Sequence, residues 1–156
     1  MFETLISKLQ DDKYLTLETT PQHEPSMHNI VEKIKKFKID SKVDGFTCTD
    51  NPLAKLKYNS LFAALKLQQE FKKPVIATMT MRDRNKIALQ SDLLGANDFD
   101  IRAILALTGD PANMSDQPNS KGVFEANSLM LLKMIKSFNY GMDFAGRPFK
   151  IEPKQI

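Results

Sequence analysis

The sequence lacks the features that define several large classes of protein. It contains a single cysteine, Cys48, which excludes an internal disulfide and is consistent with a reducing cytoplasm. No apolar run approaches the roughly 20 residues needed to cross a bilayer, and the N-terminus predicts no secretory signal. The net charge is only +3, and the basic residues are spread along the chain. We therefore expect neither a nucleic-acid nor a membrane partner.

Several short motifs with defined chemistry are also missing. No Gly-x-Gly-x-x-Gly or Gly-x-x-x-x-Gly-Lys-Ser/Thr pattern follows a predicted strand. No Gly-x-Ser-x-Gly elbow supports a serine nucleophile. His23 and His28 are five residues apart and have no cysteine nearby, so no metal site is predicted.

What the sequence does contain is a regular alternation of predicted strands and helices. The clearest strand is the apolar run 101–107, which Thr-Gly-Asp-Pro ends abruptly. A short apolar run bounded by Gly and Pro is typical of a strand buried on both faces. Such strands begin about thirty residues apart, which is the size of one strand-plus-helix unit. The three other predicted strands are 14–19, 43–49 and 74–80.

Apolar stripes with helical spacing follow these strands. Residues 1–13 predict a short leading helix or loop, and a polar loop at 111–122 precedes the last helix. The tail 146–156 has room only for the beginning of another strand. The predicted helices contain the stripes 27–37, 61–71, 87–94 and 131–138.

Consecutive strand-plus-helix units imply an α/β fold with a parallel sheet in one domain over residues 1–156. Two architectures use such units. A doubly wound open sheet fits four strands into this length, whereas a closed barrel needs eight strands and about 250 residues. Length alone favours the open sheet.

Each predicted strand ends in polar residues, and in a parallel sheet these ends meet at one rim. Glu18 ends the first strand and Asp110 follows the fourth. Two carboxylates in a partly apolar cleft often have pKa values that are pushed apart, so that one donates a proton while the other stays ionised. The plainer interpretation is that Asp, Asn and Thr form turns and helix caps. Repetition at successive strand ends favours a functional site.

Three segments in series form a specific combination: Thr80-Met81-Arg82-Asp83-Arg84-Asn85, then 89–96, then Ile104 to Pro111. Shorter pieces accompany them at 17–21, 49–52 and 123–128. Together they resemble the methylenetetrahydrofolate reductase family, most closely its bacterial branch. The resemblance extends from about residue 14 to 149.

This resemblance implies a (βα)8 TIM barrel, of which the chain would hold about four βα units as the N-terminal half. It implies FAD at the carboxyl ends of the strands, with NAD(P)H as electron donor. The implied reaction reduces 5,10-methylenetetrahydrofolate to 5-methyltetrahydrofolate in one-carbon and methionine metabolism. The implied location is the cytoplasm.

The resemblance also implies roles for residues. Glu18 matches a general acid that donates a proton toward the ring nitrogen of the folate substrate. Asp110 matches an aspartate near the flavin and the pterin. The motif residues Arg82, Asp83 and Asn85 receive no individual roles. Cofactor-binding positions are matched by Thr49, Thr78, Leu107, Thr108, Gly109 and Asp110.

Later barrel strands would lie beyond Ile156, which leaves three interpretations. The favoured one is a fragment whose C-terminal half lies elsewhere. Alternatively, two chains pair as a homo-oligomer to close a barrel, or a short non-catalytic module binds a flavin, a pterin or a partner subunit. A flavin-free lyase or aldolase-type barrel ranks last, because no lysine at a predicted strand end could form a Schiff base.

Overall fold

Strands and helices alternate along the chain in the order that the sequence predicts. The computed structural model describes residues 1–11 and 13–156. The strands are β1 (Thr16–Thr19), β2 (Gly45–Cys48), β3 (Val75–Thr80) and β4 (Ala103–Leu107). The helices are α1 (Phe2–Asp11), α2 (His28–Lys36), α3 (Ser60–Phe71), α4 (Lys86–Asp98) and α5 (Ser128–Asn139). Short 3-10 turns occupy Asp40–Lys42, Pro52–Ala54 and Ala112–Met114.

The strands form one parallel sheet in the order β1-β2-β3-β4. The Cα of Phe46 pairs with those of Leu17 and Val75, and Ala77 pairs with Ile104. A doubly wound sheet reverses its strand order at a switch point, whereas a βα barrel adds each strand beside the last. The arrangement favoured by length alone is therefore not the one observed.

One face of the sheet carries the core. Phe46 and Ala77 are completely buried against helices α2 and α3, and the Phe46 ring lies 5.1 Å from that of Phe71. Met79 and the other residues of a second cluster pack against α4 and α5. These side chains alternate along β2 and β3, as the pleat requires.

The opposite face of the sheet, which we call the open face, carries Glu18, Thr47, Ile76, Leu105 and Leu107. No helix in the described part of the chain packs its apolar side chains against this open face. Leu105 and Leu107 remain 44% and 42% exposed, respectively. The prediction that the run 101–107 is buried on both faces is therefore wrong, because helices cover only the Ile104 side of β4.

Within the described residues, β1 and β4 each pair with a neighbour on one side only. The tail forms no strand there, apart from an isolated antiparallel bridge between Met142 and Pro148. It folds back on α5, where the backbone N–H of Ile156 donates to Asn139 Oδ1 over 2.9 Å. No helix in the described part of the chain combines the length and apolar character needed to span a membrane.

Candidate functional site

The loops after the four strands form one rim, and the predicted site residues lie along it. Thr49 and Thr78 follow the paired residues Cys48 and Ala77, so their backbones run side by side. Thr78 is buried. The Thr49 hydroxyl is also buried, and none of the described residues forms a hydrogen bond with it. It is an unsatisfied polar group at the edge of the open face.

Glu18 lies on the open face near the end of β1, opposite Thr47 in register. Its side chain is exposed. Within residues 1–11 and 13–156, no group forms a hydrogen bond or ion pair with its carboxylate. Glu18 is therefore free to contact a ligand that lies on this face.

The Asp110 carboxylate forms a hydrogen bond within the rim. Its Oδ2 accepts a hydrogen bond from the backbone N–H of Leu53 over 2.6 Å. This bond ties the loop after β4 to the loop after β2. That second loop is strained, because Asn51, Leu53 and Ala54 have φ angles of 42°, 56° and 56°. Strain of this kind in non-glycine residues costs about 1–3 kcal/mol each and is common near functional sites.

Glu18 and Asp110 do not form a hydrogen-bonded pair. They belong to opposite edges of the sheet, with β2 and β3 between them. The hydrogen bond from the Leu53 N–H holds the Asp110 carboxylate at the loop after β2, so the two carboxylates reach the rim from different strands.

The segment after β4 is shaped by close contacts. Gly109 has a φ of 101°, and a Cβ added there would lie 3.0 Å from Arg82 Cβ and 3.2 Å from Thr80 Cβ. Only glycine adopts this conformation without strain. The Thr108 hydroxyl accepts a hydrogen bond from the N–H of Ser128 at the start of α5 over 3.2 Å. Leu107 exposes its side chain on the open face.

A buried ionic network joins the ends of β2 and β3, and sequence reasoning did not identify it. The Asp50 carboxylate, 1% exposed, accepts hydrogen bonds from the N–H and hydroxyl of Thr80, both over 3.0 Å. The Arg84 guanidinium donates to it over 2.7 Å and also contacts Asp92 over 2.9 Å. These bonds hold Thr49, the neighbour of Asp50, against β3.

Burial and charge oppose each other in this network. Burial alone lowers the pKa of Arg84, but the charge of Asp50 and its hydrogen bond outweigh that effect and raise it. Burial raises the pKa of Asp92, and the positive charge of Arg84 only partly offsets this increase. Arg84 therefore remains charged, as its two carboxylate partners require.

A second arginine, which is buried, lies beside the first. Arg82 is 1% exposed and donates two hydrogen bonds of 2.7 Å to the Asp83 carboxylate. Its Nη2 also donates to the backbone oxygen of Asn51 over 3.0 Å. Hydrogen bonding to Arg82 lowers the pKa of Asp83, and the same bonds raise the pKa of Arg82. Its Nη1 is buried and has no acceptor among the described residues.

The structure shows how the Arg-Asp-Arg-Asn motif is used locally. Arg82 and Arg84 hold the ends of β2 and β3 together, as described above. Asn85 caps α4, because its Oδ1 accepts a hydrogen bond from the N–H of Ala88 over 2.9 Å. The sequence signal for the network was the motif itself, together with Asp50 at a strand end.

The rim has features that fit a flavin. The buried polar atoms without partners in the described residues all follow strands: Gln22 Oε1, Thr49 Oγ1 and Arg82 Nη1. Leu105 and Leu107 offer an apolar surface to a planar ring. No group of three His, Cys, Asp or Glu side chains in the described ranges could hold a metal ion.

Comparison with known proteins places the chain in a family. No curated protein is a detectable match to it. A sequence profile of the family described as Methylenetetrahydrofolate reductase matches residues 3–148, which is nearly the whole of the 156-residue chain. The chain therefore belongs to the methylenetetrahydrofolate reductase family, and its four parallel strands are part of the TIM-barrel fold of that family.

Proposed function

We propose that the chain takes part in the FAD-dependent reduction of 5,10-methylenetetrahydrofolate to 5-methyltetrahydrofolate, with NAD(P)H as electron donor. Membership of the family supports a reductase function of this general kind. The observation that carries the proposal is the open face. At one edge stands the Glu18 carboxylate, which has no partner among the described residues, and at the other stand exposed apolar side chains.

The flavin would lie against the open face near the carboxyl ends of the strands. Leu107 would contact its ring, and the buried Thr49 hydroxyl would gain a hydrogen-bond partner, which no described residue supplies. Thr78, Thr108 and Gly109 would complete the contacts, since Gly109 allows the backbone to approach closely. When bound, the flavin supplies the electron-transfer chemistry that no side chain of this site provides.

Glu18 would act as the general acid. Its carboxyl group would donate a proton to the ring nitrogen of the folate substrate as the methylene carbon becomes a methyl group. A group with this task must reach its target within hydrogen-bond distance. Glu18 has no competing partner in the described structure and lies on the face where a substrate would stack.

Asp110 would position the substrate and place a negative charge beside the flavin. Its Oδ2 is held by the backbone of Leu53, which fixes the orientation of the carboxylate. A carboxylate oriented in this way is ready to accept hydrogen bonds from the pterin ring without a further cost of ordering.

The first test is an FAD titration of the purified chain, followed by quenching of flavin fluorescence, with the molar mass measured on the same sample. We expect saturable binding. One FAD per chain would indicate that this part of the barrel holds a site by itself, whereas one FAD per two chains would indicate that two copies close a barrel.

The second test is Glu18→Gln. We expect this change to lower the rate of folate reduction by about 10²- to 10⁴-fold, the usual contribution of a general acid, while the dissociation constant for FAD stays unchanged. Glu152→Gln, another exposed carboxylate, is the matched control. Normal folate reduction by the Glu18→Gln protein would refute the role of Glu18. Absence of FAD binding in the titration would mean that the remaining barrel strands are essential for the cofactor, as expected for a fragment.

A further inference from the structure

We propose that the cavity between α3 and α4 is a binding site for a small organic amine, whose ammonium group pairs with Asp92 and whose apolar ring fills the rest of the space. The cavity has a volume of about 180 Å³ and lies on the helix-covered side of the sheet, opposite the open face. The inference does not depend on the proposed reduction, because none of the residues given a role in that reaction lines this cavity.

Most of the cavity lining is apolar. Ala96 and Ile101 are buried, whereas the rings of Phe62, on α3, and Phe99, just after α4, are 61% and 53% exposed. An apolar ring bound between the two helices would remove part of both phenylalanine surfaces from water, and aromatic pairs add to the gain from burial. The apolar side chains of the lining are Leu61, Phe62, Leu65, Ala96, Phe99 and Ile101.

The volume of the cavity suits a single ring. An engineered apolar cavity of about 150 Å³ holds one benzene molecule. At about 180 Å³, the cavity between α3 and α4 has room for one six-membered ring and a short link to a polar group. Gly95 keeps part of this space open. Among the described residues, a Cβ placed there would meet nothing within 4 Å apart from its chain neighbours and the backbone of its own helix.

Asp92 is the one ionisable side chain among the described residues that line the cavity. This side chain is 33% exposed, and the Arg84 Nε contacts its Oδ2 over 2.9 Å. Within residues 1–11 and 13–156, no group forms a hydrogen bond with its Oδ1. A carboxylate that has a free oxygen beside an apolar cavity is suited to an ammonium group, because the hydrogen bond between them is charge-assisted.

The charges around Asp92 are unbalanced. Three carboxylates share two guanidinium groups in this part of the molecule: Asp50, Asp83 and Asp92 with Arg82 and Arg84. Burial, followed by the negative charge of Asp50, raises the pKa of Asp92 against the opposing effect of Arg84. A cation in the cavity would supply the positive charge that the cluster lacks, whereas an anion would be repelled. The cavity therefore favours an ammonium ion over a neutral or anionic ring.

The test uses the whole chain and benzylamine, which is charged at neutral pH, and follows amide chemical shifts by two-dimensional NMR. We expect saturable shift changes centred on the segments 59–65 and 91–101. Benzyl alcohol, a neutral molecule of nearly the same size, should bind about tenfold more weakly, since it cannot form the charge-assisted hydrogen bond. Methylamine, which lacks the ring, and benzoate, which has the opposite charge, should cause no saturable changes in these segments.

Two variants test the two ends of the ligand. Asp92→Asn keeps an acceptor for Arg84 but removes the charge, so it should weaken benzylamine binding about tenfold and leave benzyl alcohol binding unchanged. Its matched control is Asp98→Asn, an exposed carboxylate on α4 outside the lining, which should bind benzylamine like the unchanged chain. Gly95→Leu places a side chain in the cavity and should abolish binding of both ligands. Its melting temperature should not fall, because leucine is a better helix former than glycine.

The proposal is overturned if benzylamine causes no saturable changes at the cavity, or if benzyl alcohol binds as tightly as benzylamine. It is also overturned if the Asp92→Asn and Asp98→Asn proteins bind benzylamine equally well, or if a folded Gly95→Leu protein still binds it. The comparison of ligands uses the unchanged chain, so it decides the question even where a variant fails to fold. Absence of folate reduction would leave the benzylamine result standing, so the two proposals fail separately.

Discussion

Two regions of the same rim differ in how their charged side chains are solvated. At the end of β1, the carboxylate of Glu18 is exposed and has no partner in the described residues. At the ends of β2 and β3, the charges of Asp50 and Arg82 are buried and that of Arg84 is 13% exposed, and all three are paired. Substitution of Glu18 should change the stability of the protein little, and its carboxylate is available for chemistry. Asp50, Arg82 and Arg84, with their partners Asp83 and Asp92, form a framework that positions the rim.

The physical basis of this difference is solvation. A buried charge is tolerated only if its partners replace the lost water, so the residues of a paired network depend on one another. An exposed carboxylate keeps its water and contributes little to stability. Loss of a framework residue should therefore destabilise the folded protein strongly, and loss of Glu18 should leave its stability intact but impair the chemistry.

The largest effect is expected for Asp50→Ala. This change leaves Arg84 partly unpaired in a buried site and removes an acceptor from Thr80, so we expect the free energy of unfolding to fall by about 3–5 kcal/mol. Urea denaturation followed by circular dichroism measures it. As a control, Lys66→Ala breaks an exposed pair with Glu70 and should cost no more than about 0.5 kcal/mol. A similar loss in both variants would contradict the proposed difference.

The pH dependence of stability should identify the framework carboxylates. Hydrogen bonding to Arg82 lowers the pKa of Asp83 below its ordinary 3.8, so between these two values the unfolded chain binds more protons than the folded one. The stabilisation from Asp83 is therefore complete above pH 3.8 and is lost as the pH falls through the folded pKa. As the pH is lowered from 7 to 3, the urea midpoint should fall less steeply for Asp83→Asn than for the unchanged protein.

Asp92 should show the opposite sign. Burial raises its pKa in the folded protein, so the folded state takes up a proton before the unfolded one as the pH falls. Protonation of Asp92 thus stabilises the protein in that window. Asp92→Asn should remove this contribution and make the acid loss of stability steeper. Identical pH profiles for the Asp83 and Asp92 variants would contradict the assignment.

A smaller effect is expected for Leu53→Gly in the strained loop after β2. Leu53 is 47% exposed and has a φ of 56°, so glycine relieves strain and removes little packing. The relief of about 1–2 kcal/mol is partly offset by the greater entropy of glycine in the unfolded chain, which leaves a gain of about 0.5–1 kcal/mol. Thermal denaturation measures the change, and a loss of stability would show that the Leu53 side chain packs more than its exposure suggests.

The smallest effect on stability is expected for Glu18→Gln. The free energy of unfolding should stay within about 0.5 kcal/mol of that of the unchanged protein, because the side chain is exposed and pairs with no other described residue. The same urea denaturation as for Asp50→Ala provides the measurement. A loss above 1 kcal/mol would place Glu18 in the framework instead.

The sequence predicts the strands because their apolar runs are local and bounded by turn residues. It does not reveal what covers each strand, and this is why the burial of β4 was overestimated: an apolar run looks the same whether one or both of its faces are packed. The order of the strands also lay beyond sequence spacing, since a barrel and a doubly wound sheet share the same unit.

For the site, the sequence predicts that polar groups gather at one rim, because that follows from parallel strands alone. It could not show that Asp50 and Arg84, 34 residues apart, would share two hydrogen bonds. It also could not separate Glu18, which has no partner in the described structure, from Asp110, whose Oδ2 accepts from the Leu53 backbone. Such differences depend on distant loops meeting in three dimensions.

The outer edge of β4 has a consequence for handling the protein. Its sequence, Ala-Ile-Leu-Ala-Leu, contains neither the charges nor the prolines that protect sheet edges from aggregation. Its backbone N–H and C=O groups on that side are unpaired within the described residues. This edge can act as a template for strands of other molecules. Aggregation of the isolated chain should therefore increase steeply with its concentration unless another polypeptide covers β4.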